Sequence, residues 1–103
     1  MEQEQLISAA IICEHHKIDQ TFIVSLESSG LIEVNRVEGQ VFVHPSQLND
    51  LEKFIFFHYE LDINMEGIEA IANLLHRMHD MQQELNLLRR KLHFIADKNS
   101  SSI

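Results

Sequence analysis

Residues 17–34, KIDQTFIVSLESSGLIEV, decide how the chain folds. Asp19 stands where a helix N-cap is needed, its carboxylate placed to accept from the exposed amides of the following turn. The helix it opens runs from Gln20 to Ser29 and buries Phe22, Ile23 and Leu26. Gly30 ends it, because glycine enters the left-handed region that closes a helix without steric cost. On the N-terminal side, Leu6, Ile7, Ala10, Ile11 and Cys13 fit a further helix from Gln5 to His16, about three turns long. Two short helices joined by a few residues form a helix-turn-helix, a motif that by itself specifies no function.

On the C-terminal side the apolar period changes. Leu31, Ile32 and Val34 lead to Val37, Glu38-Gly39 makes a turn, and Val41, Phe42 and Val43 follow, which reads as a β-hairpin wing. Pro45 suits the first turn of a third helix, where its missing amide hydrogen costs nothing. Leu48, Leu51, Phe54, Ile55, Phe57 and Leu61 give that helix an apolar stripe too wide for one core, and Phe56 and Tyr59 add aromatic surface. Leu61 and Ile63 bracket a short connection, and Asn64 caps a long final helix.

Eight apolar residues of that helix, Ile71, Leu74, Met78, Met81, Leu85, Leu88, Leu92 and Ile95, alternate spacings of three and four, the seam of a coiled coil. No Gly or Pro interrupts residues 68–96, so one helix spans roughly 40 Å or more at about 1.5 Å per residue. The expected occupant of the seam is the same helix in a second copy, giving a homodimer. With Ile71 at position a, the flanking e and g positions include Leu75, Arg77, Gln82, Glu84 and Arg89, which leave parallel and antiparallel pairing open. The expected organisation is a winged helix-turn-helix body at 1–64, a long helix with the dimerisation seam at 65–97, and a disordered polar tail at 98–103.

The 103 residues, 45% hydrophobic, suffice for one small domain. No long apolar run marks a membrane span, and the first residues, MEQEQ, carry acids where a signal peptide carries bases. A single cysteine, Cys13, among Ala9, Ala10, Ile11 and Ile12, fits a buried core thiol in a reducing cytoplasm. The net charge of −8 lies wholly in residues 1–64, where eleven acids face Lys17, Arg36 and Lys53, whereas residues 65–103 hold five of each sign. Such a body repels nucleic acid, whose affinity comes largely from cations displacing counterions, and attracts a basic partner.

The order helix, turn, helix, wing, helix, coiled coil resembles the MerR-like winged helix-turn-helix superfamily, a mainly α fold. The resemblance rests on residues 18–32, ending in Gly-Leu-Ile, and on 61–75, LDINMEGIEAIANLL. DNA-binding members characteristically carry an arginine and two tyrosines in the recognition helix, where this chain has Val24, Ser25 and Leu26 and no Lys or Arg. Within the superfamily the chain most resembles the CbpM-like chaperone modulators, small acidic proteins without the DNA-reading residues, especially from Tyr59 to Ile68 and in ELNLLRRKL, residues 84–92. That resemblance implies binding to the J-domain of a DnaJ-like co-chaperone of the CbpA type, limiting its access to DnaK. The alternative is a MerR-like DNA-binding transcription regulator.

A J-domain acts through a basic helix, so a protein competing for it presents acids beside an apolar patch. Asp50, Glu52, Glu60 and Asp62, with Phe54, Phe57 and Tyr59, are the candidate partner-binding residues. Seven histidines invite a metal site, the best material being His15-His16 and His76, His79 and Asp80. The heptad places His76 and His79 on the outer face with too few ligands, so no metal and no other cofactor is expected. No phosphate loop, nucleophile elbow or Cys–His pair is present, and the chain reads as a binding protein rather than an enzyme.

Overall fold

The computed structural model describes residues 5–101, and side chains from 5 to 97. It forms two compact units, Met1–Ala70 and Ile71–Ile103. The first is mainly helical with a small antiparallel sheet. Strand β1 (Ile7–Ser8) leads into α1 (Ala9–His16), and α2 (Gln20–Ser28) completes the helix-turn-helix. Strands β2 (Asn35–Val37) and β3 (Gln40–Val43) form the hairpin, and a single 3₁₀ turn, Pro45–Gln47, leads into α3 (Leu48–Ile55). The last turn of that helix, Phe56–Glu60, widens to π geometry, and α4 runs from Met65 to Ser101.

The sheet has three strands, not two. β3 is central, pairing with β2 through Arg36↔Val41 and with β1 through Ile7↔Val43. The expectation of a helix from Gln5 is thereby corrected: extended Ile7 satisfies its backbone on β3, and the helix begins at Ala9 with Ser8 as cap. The Ser8 hydroxyl accepts from the Ala10 amide at 3.2 Å. At the next helix Asp19 is the N-cap, but its carboxylate makes no capping bond. Its backbone carbonyl accepts from the Phe22 amide at 3.1 Å instead.

The stop at Gly30 has the expected geometry. With φ of 77° it lets the Leu31 amide turn back to the Leu26 carbonyl at 2.9 Å, closing the helix in a Schellman motif. Glu38 and Gly39 both take positive φ, 51° and 80°, the type I′ turn that matches strand twist in a two-residue hairpin. Pro45 opens the 3₁₀ turn, and the His44 ring Nδ1 caps it by accepting from the Ser46 amide at 3.0 Å.

The core is drawn from α1, α2, β3, α3 and the first turn of α4, with Ile32 added from the loop before the hairpin. Ile23, Leu26, Val43, Leu51 and Ile68 are essentially inaccessible, and Ala9, Ile12, Phe22 and Phe54 are nearly so. Cys13 is among the buried residues, and burial, aided by the Asp19 charge, pushes its thiol above the ordinary value. Ile68, at 0% exposure, explains why the units divide at Ala70 rather than at residue 64. The first turns of α4 are part of the body. At its other end α4 continues to Ser101, past the expected limit at Asp97, and residues 102–103 of the expected tail lie outside the described residues.

Asn64 caps α4 as expected, its side-chain oxygen accepting from the Gly67 amide at 2.8 Å. A Cβ at position 67 would lie 2.6 Å from Ile63 Cγ2 and 3.2 Å from that same Asn64 oxygen. Helix propensity alone would make Gly67→Ala stabilising by about 1 kcal/mol. Ile63 Cγ2 belongs to a stiff β-branched side chain, and overpacking of this kind costs about 1–3 kcal/mol, before any loss of the cap. The expected outcome is a lower melting temperature for Gly67→Ala by far-UV circular dichroism; a higher one would show that Ile63 and the cap relax freely.

Candidate functional site

Two surfaces of the body are candidate sites, and they differ in charge and chemistry. The first is the helix-turn-helix with its hairpin. On α2, Gln20, Thr21, Val24, Ser25 and Ser28 face solvent, and none carries a positive charge. Arg36, the only base between Lys17 and Lys53, projects from β2. Its guanidinium forks onto Glu27 of α2, Nη1 donating to Oε2 at 2.8 Å and Nη2 to Oε1 at 2.7 Å. These hydrogen bonds, with the guanidinium charge, hold the Glu27 carboxyl below its ordinary value. The bidentate geometry spends the planar donors of the arginine within the protein.

The second surface is built by the C-terminal end of α3. The period set by Leu51, Phe54 and Ile55 continues to His58 on the inward face. His58 stacks on Phe22 of α2 with centroids 4.8 Å apart, and its Nδ1–H donates to the Ile63 carbonyl at 2.8 Å. Tyr59 meets Phe22 edge to face at 5.4 Å, and its hydroxyl oxygen accepts from the Asp19 amide at 3.4 Å. The π turn is closed by the Leu61 amide donating to the Phe56 carbonyl at 3.2 Å. Asp62 then takes a left-handed φ of 57°, and the Ile63 amide returns to the Phe57 carbonyl at 3.0 Å. A few short-range bonds thus fix the direction of the segment 56–62.

The sequence-derived residues divide on this surface. Asp50, Glu52, Glu60 and Asp62 are exposed, as is Tyr59, although that side chain also ties the π turn to α2. Phe57 is half-buried. Phe54, 6% exposed, belongs to the core and is not accessible to a partner. The exposed phenylalanine of this segment is Phe56 at 51%, joined by Leu61 at 51%. The residue pattern already held this signal, because Leu51, Phe54, Ile55 and His58 occupy one helical face and Phe56 lies off it. With Asn49, Glu52, Lys53 and Phe57, Phe56 lines a shallow surface depression.

Along α4 the seam residues from Leu74 to Ile95 are all exposed, between 41% at Leu85 and 68% at Leu92, while Ile71 is half-buried. The outer-face histidines make local contacts: His76 lies 3.4 Å from Asp80 and His79 bonds Gln83 at 3.2 Å. Among the described residues no group of three or more His, Cys, Asp or Glu side chains is placed to hold a metal ion. Among them also, no helix is long and apolar enough to cross a membrane.

Comparison with known proteins agrees with this architecture. No curated protein and no solved structure matches the chain. A family model described as MerR HTH family regulatory protein matches residues 7–90, from β1 through the hairpin and most of α4. With a three-stranded wing, a helix-turn-helix and a long last helix all inside that match, the chain belongs to the MerR helix-turn-helix family.

Proposed function

We propose that the protein is a non-catalytic chaperone modulator that binds the basic J-domain of a DnaJ-like co-chaperone and competes with its DnaK-type partner. One observation carries this reading: Arg36, the only base of the hairpin, is engaged by Glu27 of α2. A DNA-reading surface needs cations free to replace the counterions of phosphate, and this one has a helix without a single cation beside a neutralised arginine. The end of α3 offers the opposite chemistry, with exposed Glu52, Glu60 and Asp62 on the same segment as exposed Phe56 and Leu61. Acids around an apolar centre suit a basic helix, the charges steering the encounter and the ring supplying a desolvated anchor.

The second reading, a DNA-binding regulator, is favoured by the description of the matching family model as a regulatory protein. A gel-shift at low salt separates the two, because electrostatic binding to DNA is strongest there. The expected result is no retention of DNA fragments. Sequence-specific retention would reverse the preference.

Binding kinetics against a purified J-domain test the first reading directly. Glu52→Lys with Glu60→Lys should slow association about tenfold at low salt and less at high salt, as steering is screened. Phe56→Ala should act mainly on dissociation, raising its rate about tenfold if the ring is an anchor. Unchanged kinetics in the folded variants would place the binding surface elsewhere.

The exposed seam of α4 supports a homodimer. Water-exposed apolar stripes of this length are characteristic of interaction surfaces, and the three-four spacing suits a second identical helix. Leu85→Asp with Leu88→Asp should yield a monomer by light scattering, or an unstable chain. A variant of wild-type size and melting temperature would show that the seam is not an interface.

A further inference from the structure

Beyond the seam, α4 carries a second face. Leu87, Arg90, Lys91 and Phe94 are spaced i, i+3, i+4, i+7 and so share one side of the helix. In the register that places Ile71 at a they fall at c, f, g and c, outside the a/d stripe. Leu87 is 44% and Phe94 65% exposed. The run Arg89-Arg90-Lys91 has no carboxylate three or four residues away in either direction. Neighbouring histidines do: His76 reaches Asp80 and His93 reaches Asp97. Residues 85–98 hold four bases against one acid, so this end of the helix is a cationic, partly apolar segment.

The body of the same chain is its chemical complement. Residues 5–64 hold nine acids and three bases, one of which, Arg36, is already paired. At the end of α3, Glu52 and Lys53 line a depression with Phe56, and exposed Glu60 and Asp62 follow in the next turn. We propose that the Arg90–Phe94 face of one copy docks onto the acidic, aromatic end of α3 in another copy and occludes it. This rests on the reading of that end of α3 as a site for basic helices, and it adds a regulator of the site: the chain itself. Opposite charges on separate segments of one sequence favour this occupant over an outside polyanion, since the complement is present at the concentration of the protein. A basic partner must then displace the helix, and occupancy by self grows with concentration.

Charge exchange in the full-length protein tests this. The readout is sedimentation velocity at several concentrations in low and high salt. Wild type should form assemblies larger than those at high salt, with apparent association weakened about tenfold by screening. Arg90→Glu with Lys91→Glu, and separately Glu52→Lys with Glu60→Lys, should each abolish the salt-sensitive species. An equimolar mixture of the two variants should restore it, because reversed ends meet reversed surfaces, and circular dichroism checks that both are folded. Absence of the salt-sensitive species in wild type, or of its restoration in the mixture, overturns the proposal. So does loss of low-salt retention of DNA or of anionic vesicles by the Arg90/Lys91 variant with self-association unchanged, which would assign the face to a polyanion. Binding of the purified J-domain, measured separately, decides the underlying reading: restored assembly without J-domain binding leaves the self-contact standing and removes the co-chaperone, and the converse removes only the self-contact.

Discussion

A body of about seventy residues has little interior, and its stability depends on drawing one apolar side chain after another into a single small core. Ile23 and Leu26 come from α2, Val43 from the central strand, Leu51 from α3 and Ile68 from the start of α4. The helices that supply them are only eight or nine residues long before α4, too short to be stable by themselves in water. Burial and capping therefore act together. The bonds at Ser8, at Gly30 and at Asn64 set where each helix starts or stops, and so which residues face inward.

With the interior occupied by apolar groups, ionisable side chains are left at the surface, and no buried polar or charged residue is found among the described ones. Their arrangement along the chain is uneven. Acids dominate the body, while the bases of α4 cluster after residue 88. The Arg36–Glu27 fork lies on the exposed surface and contributes little to stability. Its effect is to remove a cation from the hairpin, which bears on recognition more than on folding. It is present above the lowered Glu27 value and is lost as acid protonates that carboxylate, with α2 and the hairpin otherwise held by their buried residues.

Much of the body was legible because local rules and burial agreed. Gly30, Gly39, Pro45 and Asn64 each occupy the position their residue type favours. The failures have separate causes. Ile7 fits a helical pattern as well as a strand, and only its long-range pairing with Val43 decides for the strand. Asp19 has the right residue type for a capping bond, but its carboxylate makes none. The widened turn at Phe56–Glu60 has no simple sequence mark. For the candidate site, acids were easy to assign to the surface, whereas Phe54 and Phe56 differ only in their phase on α3.

The π turn has a further consequence, for how such a surface can arise. One π turn is equivalent to an α-helix carrying a single inserted residue. Each inserted residue advances the direction of those that follow by about 100°. Leu51, Phe54 and Ile55 lie before the insertion and are untouched by it, whereas the chain that leaves the turn from Leu61 onward is re-aimed. A change of one codon in length is thus enough to re-aim Leu61 and Asp62 without altering the core face of α3. Chains with the same α3 core face can therefore differ in this surface through an insertion or deletion here, a difference that a comparison of residue identities alone would register as a gap.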